Sequence, residues 1–178
     1  MNPAAHAAGG HTPATARLQS PGPARPGANT VPGRVSWAAN YHLPMPRLKT
    51  YIVEDSPVIR DNLIATLEEL TPVQVVGFAD DEPTATAWLA QDANGARLVI
   101  VDIFLKRGSG LGVLQFGTGA GRKRNWVVFS NYATAAMRNR CLALGADRMF
   151  DKSTEIDALV GYCNRLARGI DSQHATLS

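Results

Sequence analysis

Short apolar segments alternate with longer amphipathic segments over residues 48–169, and this alternation constrains the fold more than any other feature. The apolar segments have the length and composition of strands, and they are 48–53, 73–79, 97–101, 125–129 and 148–151. The segments between and after them have the periodicity of helices, and they are 56–70, 82–91, 111–117, 133–145 and 153–169. Strands that alternate with helices predict an α/β fold, namely a doubly wound, five-stranded parallel sheet with helices on both faces.

Residues with capping propensity mark where some of these helices begin and end. Ser56 is placed to cap the first helix, with Pro57 in its first turn. Gly145 is placed to end the fourth helix. Thr154 is expected to cap the last helix, with Asp157 as an imperfect capping-box partner.

The first 46 residues differ in composition from the rest of the chain. They hold eight of the eleven prolines together with many alanines and glycines, as in PGPARPGANTVPGR. Such a segment buries too little apolar surface to offset the entropy lost on ordering it. We therefore expect a disordered leader at 1–46, one folded domain at 47–169 and a short tail at 170–178.

The formal net charge of +3 comes from the leader rather than from the predicted domain. The leader contains Arg17, Arg25 and Arg34 and no acid, so 15 of the 18 Lys and Arg residues remain to balance all 15 Asp and Glu residues. This balance gives no electrostatic indication of direct DNA binding by the domain.

The sequence favours a cytoplasmic protein without membrane insertion. No window reaches the roughly 18 apolar residues that a spanning helix needs, and the N-terminus lacks the apolar core of a secretory signal. Cys141 and Cys163 have no partner ligand at metal-binding spacing. Two such cysteines in helical segments predict reduced, semi-buried thiols.

Four of the predicted strands are followed by charged or hydroxyl-bearing residues of the kind that one reaction could share. Glu54 and Asp55 follow strand one, Asp102 follows strand three, Ser130 follows strand four and Lys152 follows strand five. A single Asp after a strand is more often a turn or cap residue. Ligands of doubly wound sheets, however, bind at the carboxyl ends of the strands, and the coincidence of four such ends favours a shared reaction there.

A cation between the acids would make this site a phosphoryl-transfer site. Three carboxylates brought together repel one another unless a cation separates them, and Mg²⁺ suits a site of few carboxylates plus waters. With a metal present, Asp102 is a candidate nucleophile toward phosphorus. Lys152 would neutralise charge on the transferred group, and the hydroxyl of Ser130 would hydrogen-bond its oxygens.

Two glycine-rich stretches look like phosphate-binding loops, but neither has the required spacing. GSGLG at 108–112 lacks the G-x-G-x-x-G pattern, and GTGAGRK at 117–123 lacks the final Gly-Lys-Ser/Thr and precedes a strand. We interpret both stretches as loops without a nucleotide.

The order of the strand-end motifs resembles that of the receiver domains of two-component response regulators. IVEDS (52–56) is similar to the family's acidic pair, VIVDIFLKRGSGLGVL (99–114) to its phosphoacceptor segment, VVFSN (127–131) to its hydroxyl segment and GADRMFDKS (145–153) to its lysine segment. The resemblance covers about residues 48–169. It implies a flavodoxin-like fold with the strand order 2-1-3-4-5.

The resemblance also implies a role for each matching residue. Asp102 would accept the phosphoryl group and contribute to Mg²⁺ binding. Asp55 would bind the metal directly and Glu54 mostly through water, while the carbonyl of Phe104 would be a further ligand. By the same resemblance, the remaining two residues would contact the phosphoryl group: Ser130 through a hydrogen bond and Lys152 through an ion pair.

Several positions depart from the family's usual pattern. Ser153 follows the lysine where proline is usual, Met149 stands where an aromatic residue often moves on activation, Lys106 stands where proline is common, and Asn131 replaces a smaller residue. The loop after Lys152 and any aromatic switch are therefore the features in which this chain is expected to differ.

The function implied by the resemblance is that of a stand-alone phosphoacceptor receiver in a two-component or phosphorelay pathway. A sensor histidine kinase or a histidine phosphotransfer protein would supply the phosphoryl group, and a downstream target protein would read the result, with a homodimer as a further option. The face of helix four, strand five and helix five is expected to carry the signal. The chemistry is self-directed, so we do not expect an enzyme.

Three alternatives stay open at this point. The first is a receiver-fold adaptor that works without phosphate. The second is a phosphohydrolase with an Asp nucleophile, although such enzymes usually place a second Asp where this chain has Phe104. The third is a DNA-binding regulator of which this sequence is a part, although residues 170–178 alone leave no room for an output domain.

Overall fold

The computed structural model describes residues 47–121 and 123–169, which form a five-stranded, all-parallel sheet with five helices. The strands are β1 (Leu48–Val53), β2 (Val73–Ala79), β3 (Leu98–Val101), β4 (Asn125–Ser130) and β5 (Arg148–Asp151). The helices are α1 (Pro57–Leu70), α2 (Glu82–Leu89), α3 (Gly110–Gly119), α4 (Ala135–Ala143) and α5 (Ile156–Ala167), with a one-turn 3₁₀ helix at Asp92–Asn94. The sheet order is β2-β1-β3-β4-β5, so the predicted fold class and strand order are confirmed.

The two faces of the sheet form separate apolar cores. On β1, Tyr51 and Val53 belong to a core shared with α2, α3 and α4, whereas Ile52 between them belongs to a core shared with α1 and α5. All four residues of β3, the central strand, are buried. Burial on both faces explains why this strand reads as a continuous apolar run rather than as an alternating one.

Most of the helices begin at a side chain that caps them. Ser56 caps α1 as predicted, since its hydroxyl accepts a hydrogen bond from the Ile59 N–H at 3.5 Å. Asp81, Ser109 and Thr134 cap α2, α3 and α4 in the same way. Such caps satisfy N–H groups that the first helical turn leaves unpaired.

The predicted start of the last helix was wrong. α5 begins at Ile156 rather than near 153, and Thr154 does not cap it. The chain first makes a turn in which the Glu155 N–H donates to the carbonyl of Asp151 at 2.9 Å. Glu155 then occupies the cap position without a capping hydrogen bond, because its carboxylate accepts from the Asp151 N–H at 2.6 Å instead.

The interpretation of both glycine-rich stretches as loops was also partly wrong. α3 begins inside the first stretch, at Gly110, and ends inside the second, at Gly119. Close packing explains one of these glycines. A Cβ at Gly117 would overlap the indole ring of Trp126, so only glycine lets this helix approach β4.

Two further expectations concern cysteines and membranes. Cys141 and Cys163 are buried, free thiols, and burial raises the pKa of Cys163 to about 12. Over the described ranges, none of the helices combines the length and the apolarity that a membrane crossing demands. The expectations for 1–46 and 170–178 fall outside the described residues.

Replacing Gly117 by alanine is expected to lower the free energy of unfolding by about 1–3 kcal/mol, the usual cost of overpacking a core. The reason is that Trp126 is only 2% exposed and cannot move aside for a Cβ. Urea unfolding followed by circular dichroism measures the change. Gly119→Ala is the matched control, because a Cβ there meets open space in the same helix. Equal stability of the two variants would contradict this packing.

Candidate functional site

The carboxyl ends of β1 and β3 bring two acids to one edge of the sheet. Val53 pairs with Val101 across these strands, so the residues that follow them, Glu54 and Asp102, leave the sheet side by side. Both acids are buried, with 2% and 9% of their surface exposed. The amide of Asp102 still belongs to the ladder, since it donates to the Val53 carbonyl at 2.9 Å.

Lys152 links these two acids from the end of β5. Its ammonium donates to Oε2 of Glu54 at 2.5 Å and to Oδ2 of Asp102 at 2.6 Å. The side chain of Lys152 is 7% exposed, so the shared ammonium is itself nearly buried. A cation between two buried carboxylates offsets the repulsion that would otherwise force one of them to take up a proton.

Burial raises the pKa of Glu54 above its usual value. The Lys152 ammonium and the Ser56 N–H, which donates to Oε1 at 3.0 Å, oppose this rise, and the neighbouring Asp102 adds to it. A carboxyl whose pKa is higher in the folded than in the unfolded chain costs stability once it ionises. This cost is therefore present at neutral pH and disappears as the pH falls.

Asp55 completes a cluster of three acids that could hold a metal ion. Glu54, Asp55 and Asp102 each offer a carboxylate oxygen, and these oxygens lie within 4.8 Å of one another. Asp55 is partly exposed, so the cluster is open to solvent on its side. Oxygen donors of this kind fit a hard divalent cation. The role predicted for the carbonyl of Phe104 stays a prediction.

Ser130 places an unpaired hydroxyl at the same edge of the sheet. Its side chain is fully buried, and its Oγ has no hydrogen-bond partner among the described residues. Its carbonyl accepts from the Lys152 N–H at 3.2 Å. A buried hydroxyl without a partner costs about 1–3 kcal/mol, a penalty that a ligand with acceptor oxygens would remove.

The loop after Lys152 is held without the proline usual in the resembling family. The Ser153 N–H donates to the Asp151 carboxylate at 2.7 Å, and the Ser153 hydroxyl donates to Oδ1 of Asn131 at 3.1 Å. These two bonds close the turn with side chains instead of a fixed ring. Lys152 therefore reaches the acids although the expected proline is missing.

Met149, at the position of the expected aromatic residue, is buried in the core rather than free to move at the surface. Its carbonyl accepts from Arg138 at 2.6 Å. Arg138 also donates to the Ala133 carbonyl at 3.2 Å and to Glu155 at 2.7 Å. One guanidinium thus joins the loop before α4, strand β5 and the start of α5.

Phe104 and Tyr132 lie at the surface, in the loops that follow β3 and β4. Their side chains leave 60% and 49% of the residue surface exposed. The two rings contact each other edge to face, with centroids 5.8 Å apart. Two loops that follow different strands, β3 and β4, are thereby joined by an aromatic pair.

The acidic segment Asp80–Asp81–Glu82 follows β2 at this edge and was not among the predicted site residues. We call it the acidic corner. Its three side chains bond to the loop after Asp102. Asp81 also caps α2, and hydrogen bonds from Thr84 together with the Arg107 guanidinium lower its pKa to about 2. The strand-end rule applied to β2 would have found this segment.

Comparison with known proteins shows the family to which the chain belongs. A family model described as the response regulator receiver domain matches residues 50–164. The chain belongs to this family. The matched range runs from the third residue of β1 to within α5. It therefore includes the three acids of the cluster as well as Ser130 and Lys152.

The receiver domain resembles several known proteins. A probable transcriptional regulatory protein of Picosynechococcus sp. is 32% identical over 127 residues, which is 68% of this chain and 50% of that protein. The chain thus spans about half the length of this curated relative. The receiver domain of the putative response regulator NarL from Mycobacterium tuberculosis matches with a TM-score of 0.62 at 20% identity, over 69% of this chain and 98% of that one. The response regulator domain of Thermotoga maritima CheB has a TM-score of 0.59 at 18% identity, over 71% and 97%. These structures share the fold.

Replacing Lys152 by methionine is expected to lower the free energy of unfolding by about 3 kcal/mol at neutral pH, because the buried Glu54 and Asp102 lose their shared cation. The loss should shrink in acid. Without the ammonium the raised pKa of Glu54 rises further, so mild acid protonates the carboxyl and removes the uncompensated charge. Urea unfolding in metal-free buffer, at neutral and at mildly acidic pH, measures both effects.

Lys106→Met is the matched control for this experiment. The Lys106 side chain is 57% exposed and pairs with Asp80 at the surface, so its loss should cost less than about 1 kcal/mol at either pH. A Lys152→Met deficit that equals the control, or that grows in acid, would show that the shared ammonium does not stabilise the site.

Proposed function

We propose that this receiver domain accepts a phosphoryl group on Asp102 with Mg²⁺ bound at the acidic cluster, and that it signals through protein partners that distinguish the phosphorylated form. One observation carries the proposal: the ammonium of Lys152 joins Asp102 and Glu54 inside a nearly buried site. A structural ion pair needs one acid and one base. Three acids, one ammonium and an unpaired hydroxyl at one edge are what phosphoryl transfer to a carboxylate requires.

The transfer step is a displacement at phosphorus. A carboxylate oxygen of Asp102 attacks the phosphoryl group of a phosphohistidine, the O–P bond forms and the P–N bond breaks. The electron pair of that bond returns to the imidazole nitrogen, which takes up a proton. Asp102 becomes an acyl phosphate, and its two oxygens already have defined partners, the Ile103 N–H on Oδ1 at 2.6 Å and Lys152 on Oδ2.

Two groups at the site are free to follow the transferred phosphoryl group. Lys152 loses its carboxylate partner on Asp102 when that carboxylate becomes an ester-like oxygen, so its ammonium can pair with the phosphoryl oxygens instead. The Ser130 hydroxyl, unpaired among the described residues, can donate to the same oxygens. The second change gives the buried hydroxyl the partner that it lacks.

The acidic cluster fits Mg²⁺ by its donor set. Glu54, Asp55 and Asp102 supply oxygens only, and Asp55 faces solvent, where a magnesium ion keeps its waters. A bound Mg²⁺ would neutralise charge on the transferring phosphoryl group. Burial raises the pKa of Glu54 and so disfavours its ionised form. A divalent cation bound beside the carboxylate would stabilise that ionised form.

The partners follow from this chemistry. A sensor histidine kinase or a histidine phosphotransfer protein supplies the phosphohistidine, and a downstream target protein binds the state that phosphorylation favours. The domain consumes one phosphoryl group on its own side chain and so does not act as a turnover enzyme. We place the protein in the cytoplasm, where such donors act.

Incubation with a small acyl phosphate and Mg²⁺ is expected to add one base-labile phosphoryl group, measured by intact mass spectrometry. Asp102→Asn should abolish the adduct, and Asp55→Asn or chelation of Mg²⁺ should reduce it strongly, because charge on the transferring group is no longer neutralised. Asp61→Asn is the matched control, since Asp61 is an exposed acid on α1 outside the cluster, and it should keep the adduct.

Other outcomes of this experiment separate the alternatives. A parent protein without an adduct would favour a phosphate-independent adaptor. Continuous release of phosphate without a stable adduct would favour a phosphohydrolase. Either result, or an adduct that persists in Asp102→Asn, overturns the proposal.

The double variant Phe104→Asn, Tyr132→Glu is expected to lose its phosphoryl group severalfold faster than the parent. The edge-to-face ring pair covers the loops after β3 and β4, and polar side chains in its place admit and orient the attacking water. The half-life of the adduct, followed by mass spectrometry after removal of donor, measures this. The single variant Val58→Asn, at 69% exposure on α1, controls for the loss of a surface apolar residue. Equal half-lives in all three proteins would refute the shielding role.

A further inference from the structure

A set of polar contacts fastens the loop after Asp102 to the acidic corner. All of them join consecutive residues of the corner to the segment Lys106–Ser109. They are the ion pairs Asp80–Lys106 and Asp81–Arg107, the hydrogen bond from the Ser109 N–H to Oε2 of Glu82 at 2.7 Å, and the hydrogen bond from the Glu82 N–H to the Arg107 carbonyl at 3.0 Å. Two segments that follow different strands are thus held together at several successive residues.

The carboxylate of Glu82 lies in a slot that the GSGLG stretch leaves open. A Cβ at Gly108 or at Gly112 would collide with the Glu82 side chain, and Gly108 has a φ of 78° that favours glycine. The slot lies at the first turn of α3, where N–H groups without helical partners and the helix dipole favour an anion. The stretch that looks like a phosphate-binding loop therefore does hold an anion, and that anion is a side chain of the same chain.

Ser109, whose N–H donates to Glu82, is joined through a tight hairpin to the residues that directly follow Asp102. Phe104 and Ser109 form an antiparallel bridge, and the Gly110 N–H donates to the Ile103 carbonyl at 2.9 Å. A Cβ at Gly110 would collide with the carbonyl of Asp102. The main chain directly after Asp102 is therefore packed against the segment that Glu82 anchors.

We propose that Glu82 is a positioning residue for phosphoryl transfer to Asp102. By anchoring Ser109, it fixes the hairpin 104–109 and with it the main chain of Phe104 beside the acidic cluster. This inference rests on the proposed function, because it assigns Glu82 a role in that reaction. Lys106 stands where a proline would stiffen the loop, and the contacts with the acidic corner supply the stiffness that a proline ring would give.

Glu82 carries more of this role than its two acidic neighbours. The basic partners Lys106 and Arg107 keep 57% and 69% of their side chains exposed, and an ion pair whose base is screened by water contributes less than a buried one. The bond from Glu82 joins a carboxylate to a backbone N–H in a partly buried slot, which is the stronger, charge-assisted type. It also acts on the backbone itself rather than on a flexible side chain.

Glu82→Ala is expected to slow phosphorylation of Asp102 by about tenfold or more at fixed acyl phosphate and Mg²⁺, because small misplacements of a reacting group are costly. Glu68→Ala is the matched control. Oε1 of Glu68 accepts from the Val75 N–H at 2.9 Å, so this variant loses the same kind of bond away from the site, and its rate should equal that of the parent. Glu82→Gln keeps the shape and an acceptor oxygen but not the charge, and its rate should fall between the two.

A double-mutant cycle separates positioning from a general loss of stability. Gly112→Ala fills the slot and should slow the reaction as Glu82→Ala does. The double variant Glu82→Ala, Gly112→Ala should be no slower than either single variant, because each single change already removes the contact between Glu82 and Ser109. In metal-free protein, amide hydrogen exchange over 103–110 should quicken in Glu82→Ala, while exchange in α1 and α5 stays as in the parent.

The outcomes distinguish this inference from the proposed function. A parent that takes up no phosphoryl group overturns both. A parent that is phosphorylated at the same rate as Glu82→Ala overturns the positioning role alone. Additive slowing in the double variant, equal slowing by Glu68→Ala, or unchanged exchange over 103–110 also overturns it.

Discussion

A single ammonium shared by two buried carboxylates is the interaction on which the carboxyl edge of the sheet depends. Lys152 contacts Glu54 and Asp102 at 2.5 Å and 2.6 Å. Removing one of these three residues would leave a buried charge without its partner, which lowers the free energy of unfolding by about 3–5 kcal/mol in measured cases. The contact can form only if β1, β3 and β5 end together, so the reaction site and the arrangement of the strands constrain each other.

The site is built at the expense of local stability. Glu54 is held with a raised pKa, and Ser130 keeps a buried hydroxyl without a partner among the described residues. A chain selected for stability alone would replace both with apolar residues. Their cost is understandable if the site is completed by a cation and a phosphoryl group, each of which offers the missing charge or the missing acceptor oxygens.

The sequence was informative wherever a feature depends on neighbours along the chain. Apolar runs that stop at Glu54, Asp102 and Lys152 located the site, because parallel strands necessarily deliver their ends to one edge. Features that depend on contacts between distant parts of the chain could not be predicted from the sequence. Glu155 displaced Thr154 at the start of α5 because Arg138, seventeen positions earlier, shares its carboxylate. The pairing of the acidic corner with the loop after Asp102 likewise spans 26 or 27 positions, and nothing local indicates which acid meets which base.

The three contacts of Arg138 join the loop that follows Ser130 to β5 and to the start of α5. This guanidinium is bonded to two main-chain carbonyls, those of Ala133 and Met149, and to Glu155. Because two of the partners are main-chain carbonyls, the guanidinium is tied to the backbone and not to side chains alone. A displacement of one of these three partners therefore changes the geometry of the other two contacts at once.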